Sequence, residues 1–484
     1  MFTPTPVAEA SLRYGTSYPF MSTIAMGKFV HLHVHSHYSL LSALPRIDEL
    51  VKKAKECDMS AIAVTDNGNL YAAIEFYKAA KKEGIKPIIG IDAYVAARKR
   101  TDKTAGIDNK RTRLVLLAEN EVGYKNLIKL STDSNLEGFY YKPRVDEELL
   151  RKYAEGLIAI VPSFSGNIAH ALRSDDFEKA KEYGEMYRQV FGKDNLFIEI
   201  SHHPEIERHE DLMKKIRAFS EKEKIPLVAA HDIYYLNPED KKARDTLVAI
   251  NNSADFSDRE VNEIDFSFTD QKQMTEWFKD IPESLQNTVK IADRVNVEIE
   301  LGKWVFPDFK LPNGATPDDE LRRVAFEGFA KRGVEQTQET VKRVEYELEV
   351  IKKKGYSPYF LVVSDLLRHA KEAGILSTTR GSAGGSMVSY LAYITTVNPI
   401  AYGLPFERFL NPDRPSPPDI DMDIADNRRD DMIAYAKKKY GDDKVAQIGT
   451  FGTMMARGSV RDVARALGHE YSLGDRIAKL IPMG

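Results

Sequence analysis

Three aspartates alternate with aliphatic residues in the segment PPDIDMDIADNRRD at 417–430: Asp419, Asp421 and Asp423. Side chains of a β-strand alternate between two faces, so the aspartates should share one face and the aliphatic residues the other. Two carboxylates about 4 Å apart repel by roughly 4 kcal/mol at an effective dielectric near 20, which a bound divalent cation would offset. A solvated edge strand is the alternative. A calcium loop is excluded because Ile424 stands where its turn glycine would be.

A loop rich in glycine and serine, TTRGSAGGS at 378–386, precedes the aspartates by some 35 residues. Its glycines allow backbone N–H groups to approach an anion, a following helix would add its dipole, and Arg380 could grip phosphate oxygens. No Gly-Lys-Ser/Thr follows, so it is not the phosphate loop of nucleotide hydrolases, and by itself it could be a flexible turn. A triphosphate cradle followed by metal-binding carboxylates is what nucleotidyl transfer requires. Together the two segments favour that reaction.

Two further patterns carry charge or metal ligands. In HLHVH, His33 and His35 are two residues apart on a predicted strand and would face the same way, as metal ligands can. Arg457, Arg461 and Arg465 recur every fourth residue and so form one stripe of a helix. The stripe could contact the phosphates of a duplex or be an ordinary solvated helix face.

The elements that must position these residues alternate between strand and helix from residue 29 onward, which predicts an α/β fold with a largely parallel sheet. A boundary is expected near 255–267, followed by a linker rich in proline and glycine and by charged helices from about residue 320. At 484 residues, two to four domains are expected. The first 28 residues are expected to be a poorly ordered extension, with Met21 or Met26 as alternative starts.

The composition excludes several classes of protein. With 69 Lys and Arg against 73 Asp and Glu, the net charge is −4, so nucleic-acid binding would need locally segregated basic residues. The single cysteine, Cys57, rules out intrachain disulfides and fits the reducing cytoplasm. The longest apolar runs, such as 156–161, are too short to cross a bilayer, and no membrane association is expected.

The ordered set of motifs resembles the alpha subunit of bacterial DNA polymerase III, a C-family replicative polymerase. The later motifs are PYFLVVSDLL, RGSAGGS, FERFLNP, PDIDMDIADNRRD and QIGTFGTMMARGSVRDVARALG. The earlier ones, similar to that subunit's polymerase-and-histidinol-phosphatase (PHP) domain, are HLHVHSHYSLL, TDNGNL, GIKPIIGIDAYVA, LLAENEVGYKNL and EGFYYKPRVD. The resemblance covers nearly all of residues 29–484.

The resemblance implies a fold and its domains. The expected fold is α/β, with a PHP-type (β/α)7-like barrel at 29–265, the first part of a mixed α/β, polymerase-beta-like palm at 266–435, and the beginning of a helical thumb at 436–484. The palm would hold two Mg²⁺ ions and primer–template DNA and would take dNTPs. Partners would be the sliding clamp and clamp loader, through a C-terminal region, and a proofreading exonuclease subunit on the PHP domain. The family's third catalytic aspartate and fingers lie beyond Gly484, so this chain alone is expected not to extend a primer.

The resemblance also assigns roles to residues of the palm and thumb. Asp419 and Asp421 would hold the catalytic Mg²⁺ ions, while the role of Asp423 is left open. The triphosphate contacts would be Arg380, Gly381, Ser382 and Arg408, and Arg457, Arg461 and Arg465 would contact DNA. The family usually has Gly-Pro-Gly before the loop arginine, where this chain has Ser377, Thr378 and Thr379.

The PHP metal site departs further from the family pattern. His33, His35 and Asp232 match its ligands, and Asp92 replaces a glutamate. The other ligand positions carry Ser42, Asn67, Arg113, Ser163 and Tyr234. A three-metal cluster is therefore not expected, and at most one ion would bind His33, His35, Asp92 and Asp232. Two alternatives to a polymerase remain at this point: a metal-dependent phosphoesterase or 3′–5′ exonuclease in the PHP domain, and a non-catalytic scaffold that binds a proofreading subunit.

Overall fold

A computed structural model describes residues 29–252, 264–303, 305–306, 311, 314–414 and 417–482. The extension predicted at 1–28 lies outside these residues. The chain divides into two compact units, of which the first comprises Met1–Glu300 with Thr453–Gly484 and the second Leu301–Gly452. Within the described residues, no helix is long and apolar enough to span a bilayer.

The first unit is built on a mixed sheet in the order β4-β5-β2-β3-β6-β7-β8, with β1 also paired to β2. The strands are β1 Ala61–Asn67, β2 Lys86–Ala96, β3 Arg111–Ala118, β4 Phe139–Tyr140, β5 Lys142–Val145, β6 Leu157–Val161, β7 Leu196–Ile200 and β8 Leu227–Ala229. The prediction of a largely parallel sheet is wrong at β3, which runs antiparallel to both β2 and β6. A loop without a helix joins β2 to β3, so the chain returns antiparallel instead of crossing over.

The histidine-rich segment bridges the two edges of this sheet. The N–H of Ala63 in β1 donates to the carbonyl of His31 at 2.9 Å, and the N–H of Thr65 donates to the carbonyl of Val34 at 2.7 Å. On its other side Val34 forms a parallel bridge with Ile233, just after β8. The sheet therefore curls towards closure, as the predicted PHP-type barrel requires.

The helices of the first unit cover this sheet with apolar stripes. They are α1 Ile47–Glu56, α2 Ala73–Glu83, α3 Glu121–Leu136, α4 Glu147–Tyr153, α5 Asn167–Arg173, α6 Phe177–Phe191, α7 His209–Glu223, α8 Lys241–Asn252, α9 Gln271–Trp277 and α10 Pro282–Arg294. In α1, Ile47, Leu50, Val51 and Ala54 are buried at the spacing of one helix face.

The unit boundary differs from the predicted one at 265/266. Helices α9 and α10 place Met274, Phe278, Leu285 and Ile291 in the core of the first unit, so residues 266–300 do not belong to the second. Sequence patterning marked the break near 255–267 but could not show that the following helices pack back onto the sheet.

In the described part of the second unit, the α-helices and strands are α11 Pro317–Arg332, α12 Gln338–Lys353, α13 Ser357–Glu372, β9 Ser377–Arg380, α14 Met387–Leu391, β10 Asp421–Ile424 and α15 Arg429–Tyr440. Thr316 and Thr337 cap α11 and α12 by accepting hydrogen bonds from backbone N–H groups of the first turn. Strands β9 and β10 form a two-stranded antiparallel sheet beside a core that includes Phe329, Phe360 and Phe406.

The predicted thumb at 436–484 is divided between the units. In α15, the hydroxyl of Tyr440 donates to Asp365 of α13 at 2.9 Å, so this helix belongs to the second unit. The last two helices, α16 Ala456–Ala466 and α17 Tyr471–Leu480, pack on each other, and α16 also lies against α8 of the first unit.

Candidate functional site

The aspartate strand has the alternation that the sequence predicts. Ile420 is buried in the core of the second unit, and Met422 packs against the same core. Asp419 and Asp421 are exposed, on the opposite face. Asp421 is paired directly with Arg380 across the two strands, so the carboxylates lie beside the arginine of the glycine–serine loop.

Asp423 has a definite partner. Its Oδ1 accepts a hydrogen bond of 2.9 Å from Arg380 Nη2, and its Oδ2 accepts a second from Nε. The Arg380 side chain is 66% exposed and that of Asp423 43%, so water and salt screen this pair and an incoming anion could displace it at low cost.

The glycine–serine loop approaches both the carboxylates and the turn that carries Arg408. Gly381 has φ +83°, and a Cβ built on it would lie 3.9 Å from Oδ2 of Asp421. A Cβ on Gly385 would lie only 2.8 Å from the carbonyl oxygen of Pro405, so only glycine allows this approach. The turn Phe406–Arg408 follows Pro405 and leaves Arg408 exposed, while Ser382 is half-buried. The predicted triphosphate contacts thus come from two adjoining backbone segments.

A buried carboxylate, Glu347 of α12, anchors this loop. It accepts hydrogen bonds from the N–H groups of Met387 and Val388, both at 2.9 Å, from the hydroxyl of Ser386 at 2.8 Å, and from Arg343 Nε at 2.6 Å. Burial raises the pKa of Glu347, and these four donors oppose the shift. The N-terminus of α14, which the sequence offered as an anion site, is therefore already occupied by a side chain of the protein.

Sequence reasoning missed Glu347, although a signal was present. Its neighbours Val344 and Ile351, three residues before and four after it, are both buried, so the carboxylate stands within the apolar stripe of α12. A charged residue at such a position requires partners in the interior.

Tyr359 lies beside the backbone between Asp419 and Asp421. Its hydroxyl oxygen accepts the N–H of Ile420 at 3.1 Å. Burial raises the pKa of Tyr359, and the charges of Asp419 and Asp421 raise it further. Two exposed carboxylates on one face are a donor set that suits Mg²⁺.

The first unit brings four predicted ligands together. His33 Nε2 and His35 Nε2 each lie 3.3 Å from Oδ2 of Asp92. Oδ1 of Asp232 lies 3.5 Å from His33 Nε2 and 3.1 Å from His35 Nδ1. Among the described residues, His33, His35 and Asp232 form the one group of three whose ligand atoms are close enough to share a metal ion.

Arg113 occupies the side of this site where further ligands were expected. Its Nε donates to Oδ2 of Asp92 at 2.9 Å, and its Nη2 donates to both Asp92 and Asn67. The guanidinium also lies 4.1 Å above the ring centre of Tyr94. Burial alone would raise the pKa of Asp92, but Arg113 and the two histidines hold it well below its usual value.

Glu199 is a second residue that sequence reasoning missed. It accepts hydrogen bonds from His33 Nδ1 at 2.9 Å and from the hydroxyl of Ser163 at 3.0 Å. Burial would lower the pKa of His33, yet Asp232, Glu199 and Asp92 raise it well above the usual value. Arg113 thus supplies beside Asp92 positive charge that a metal ion would otherwise bring.

Comparison with known proteins decides the family. Residues 319–484 match the family described as bacterial DNA polymerase III alpha NTPase domain, and residues 31–203 match the PHP domain. The chain is 43% identical to the DNA polymerase III subunit alpha of Borreliella burgdorferi over 94% of its own length and 40% of that protein. It is 40% identical to those of Aquifex aeolicus and Bacillus subtilis, again over 94% of this chain and about two fifths of each relative.

The chain belongs to the DNA polymerase III alpha family. It spans about two fifths of the length of the curated relatives it matches. A solved two-domain protein from Bacteroides vulgatus with a predicted PHP-like phosphoesterase domain is 15% identical over 43% of this chain and 52% of that one, with a TM-score of 0.28.

In this member of the family, the PHP site does not suit a three-metal cluster. Arg113 donates to Asp92 and Asn67, so a cation already fills that side, and Tyr234 stacks on His35 with ring centres 4.1 Å apart. The remaining triad of His33, His35 and Asp232 could hold one ion.

The arginine stripe of α16 is largely engaged within the protein. Arg457 donates to the carbonyl of Ile481 at the end of α17, and Arg461 donates to Asp475 at 3.0 and 2.9 Å. Arg465 lies 3.7 Å from Asp462. The stripe forms on one helix as predicted, but Arg457 and Arg461 join α16 to α17, which leaves its DNA contact a prediction.

We expect Glu347→Ala to destabilise the protein by about 3–5 kcal/mol, because buried donors of α14 and Arg343 would lose their acceptor. Denaturant unfolding measures this. Glu349→Ala, an exposed change on the same helix, should shift stability by less than about 0.5 kcal/mol. Equal effects of the two changes would contradict the anchoring role.

We expect Arg113→Met to destabilise the protein by about 3–5 kcal/mol, because the buried carboxylate of Asp92 would lose its strongest partner. The exposed Arg151→Met, which removes a helical pair with Glu147 and a surface hydrogen bond to Gln189, serves as the control. A wild-type unfolding midpoint in Arg113→Met would show that this guanidinium does not balance the site.

Proposed function

We propose that this chain is the N-terminal portion of a replicative DNA polymerase that adds dNTPs to a primer on template DNA. The observation that supports the proposal is the pairing of Asp421 with Arg380 across β9 and β10, which brings the glycine–serine loop beside the carboxylates of Asp419 and Asp421. Family membership supports the same activity. The sliding clamp, the clamp loader and a proofreading subunit are proposed partners of the completed protein.

Asp419 and Asp421 would hold the two Mg²⁺ ions in the proposed reaction, together with an aspartate from further along the polymerase. The ions would activate the attacking primer oxygen and neutralise charge on the pyrophosphate leaving group. When a nucleotide binds, Arg380 would release Asp423 and donate its hydrogen bonds to the triphosphate instead. Asp423 would hold the arginine in place while no nucleotide is bound. Gly381, Ser382 and Arg408 would complete the triphosphate contacts.

The PHP domain is proposed to be structural. Arg113 supports this, because a permanent cation at Asp92 replaces metal charge without supplying an activated water. The alternative, a phosphoesterase or 3′–5′ exonuclease, is favoured by one observation, the triad of His33, His35 and Asp232.

In a polymerase completed to the length of its relatives, Asp419→Asn or Asp421→Asn should slow incorporation by roughly a hundredfold or more, because each removes a charged metal ligand. Primer extension at saturating Mg²⁺ measures this, with the exposed Asp426→Asn as control. Wild-type rates in Asp421→Asn would refute the assignment.

For the PHP domain, we expect no release of nucleotides from labelled single-stranded DNA in Mn²⁺, Zn²⁺ or Mg²⁺, and no change in unfolding midpoint after chelation. Exonuclease activity that disappears in His33→Ala, with bound metal at one or more equivalents, would instead establish the alternative.

A further inference from the structure

A cavity of about 390 Å³ lies in the second unit beside β9. Its lining includes Arg332, Lys371 and four hydroxyl residues, Ser377, Thr378, Thr379 and Thr396, and among the described residues it includes no carboxylate. A polar cavity with two cations, several hydroxyls and no acid has the composition of an anion site.

The two cations of this cavity have no carboxylate partner in the described part of the chain. Arg332 uses one Nη2 bond of 2.9 Å to the carbonyl of Thr395, and its Nε is buried without a hydrogen-bond partner. A buried guanidinium N–H without an acceptor is costly, which favours a ligand that supplies one. Lys371 reaches the same place from α13.

Tyr393 holds these cations together. Arg332 lies 4.0 Å and Lys371 4.6 Å from the centre of its ring. The hydroxyl of Tyr393 donates to the carbonyl of Lys331 at 3.1 Å, which fixes the ring. Its backbone has φ +63°, the left-handed conformation that ends α14, where the N–H of Ile394 donates to the carbonyl of Ser389 at 2.8 Å.

An adjoining cavity of about 400 Å³ shows why the anion would bind at Lys371 rather than elsewhere. It shares Lys371 and Tyr393 with the first, but its other cations are neutralised: Arg323 and Lys331 pair with Glu327, and Arg368 pairs with Asp365. Arg332 and Lys371 thus have no ion pair among the described residues, although Glu372 also lines the adjoining cavity.

One hydroxyl of β9 is available to the site. Ser377 donates to no described protein group, whereas Thr379 already donates to the carbonyl of Ile394 at 2.8 Å and Thr378 lies on the strand face of Arg380. Ser377, Thr378 and Thr379 are also the residues at which this chain departs from the family's Gly-Pro-Gly.

We propose that Arg332, Lys371 and Ser377 form a binding site for a small phosphate anion, either free inorganic phosphate or pyrophosphate, or the phosphate group of a nucleotide. The site is separate from the proposed triphosphate contacts, which begin one residue further along at Arg380. It does not depend on the proposed polymerase activity.

The test is isothermal titration of the full chain with phosphate, pyrophosphate, dATP and sulfate in a chelator, so that no divalent ion contributes. Pyrophosphate should bind, and Lys371→Ala should weaken its binding about ten- to hundredfold, the loss expected for one charge-assisted contact. The exposed Lys352→Ala should leave binding unchanged. Binding of dATP with the same sensitivity to Lys371→Ala would identify the nucleotide as a source of the phosphate.

Any of three results overturns the proposal. The wild-type chain does not bind pyrophosphate, Lys371→Ala binds it as tightly as the wild type does, or the wild type binds sulfate as tightly as pyrophosphate. Loss of pyrophosphate binding in Arg380→Ala alone would place the anion at the triphosphate loop instead. Arg332 packs on two tyrosines, so Arg332→Ala could disturb the fold, and the milder Arg332→Lys is therefore tested beside it. If Arg332→Lys and Lys371→Ala are both folded and both bind pyrophosphate with unchanged affinity, the site is also rejected. Binding of a single-stranded oligonucleotide with none of the small anions would show a nucleic-acid contact and reject a small-ligand site.

Discussion

A charge removed from water must be paired, and each unit is organised around one such charge. In the second unit, Glu347 is fully buried, and the N-terminus of α14 and Arg343 supply its donors. Arg343 also donates hydrogen bonds to the carbonyls of Gly385 and Leu404. The ion pair of Glu347 and Arg343 therefore fixes both the glycine–serine loop and the segment that leads to Arg408. The positions of the proposed triphosphate contacts depend on this interaction.

The PHP domain also contains a buried carboxylate that needs a partner, and there an arginine side chain is the main partner. Asp92 is buried, and in a metal-binding site an ion could neutralise it. Here Arg113 does so, with His33 and His35. The barrel can therefore keep its charged centre without a full set of metal ligands, since the apolar core and the site are separate parts of the fold.

Asp419, Asp421 and Arg380 are arranged differently from these buried centres. All three are exposed, and the contact between Arg380 and Asp423 is screened by water. Exposed carboxylates remain accessible to ions, and a weakly held arginine is able to change partner. The rigid parts of the second unit lie beneath this face, where Ile420 joins the core and Tyr359 receives the N–H of Ile420.

Local patterns predicted much of this, whereas long-range pairing did not follow from them. The alternation at 419–424 predicted which side chains are buried, because strand periodicity is a local property. Glu347 and Glu199 were missed because most of their partners are distant in sequence. Apart from Arg343, the partners of Glu347 are 39–41 residues away, and those of Glu199 are 36 and 166 residues away. The direction of β3 and the packing of α9 and α10 likewise depend on tertiary contacts. The spacing of Arg457 and Arg461 gave the helix face but could not show that α17 would pair with it.

The central claim is that the loop beginning at Arg380 binds the triphosphate next to the metal-binding carboxylates. The most direct measurement is the nucleotide dependence of incorporation by Arg380→Ala in the completed polymerase, with the exposed Arg429→Ala as control. The account predicts that the half-saturating dNTP concentration rises about ten- to hundredfold in Arg380→Ala while affinity for primer–template stays unchanged. A loss of DNA affinity with an unchanged nucleotide requirement would contradict it.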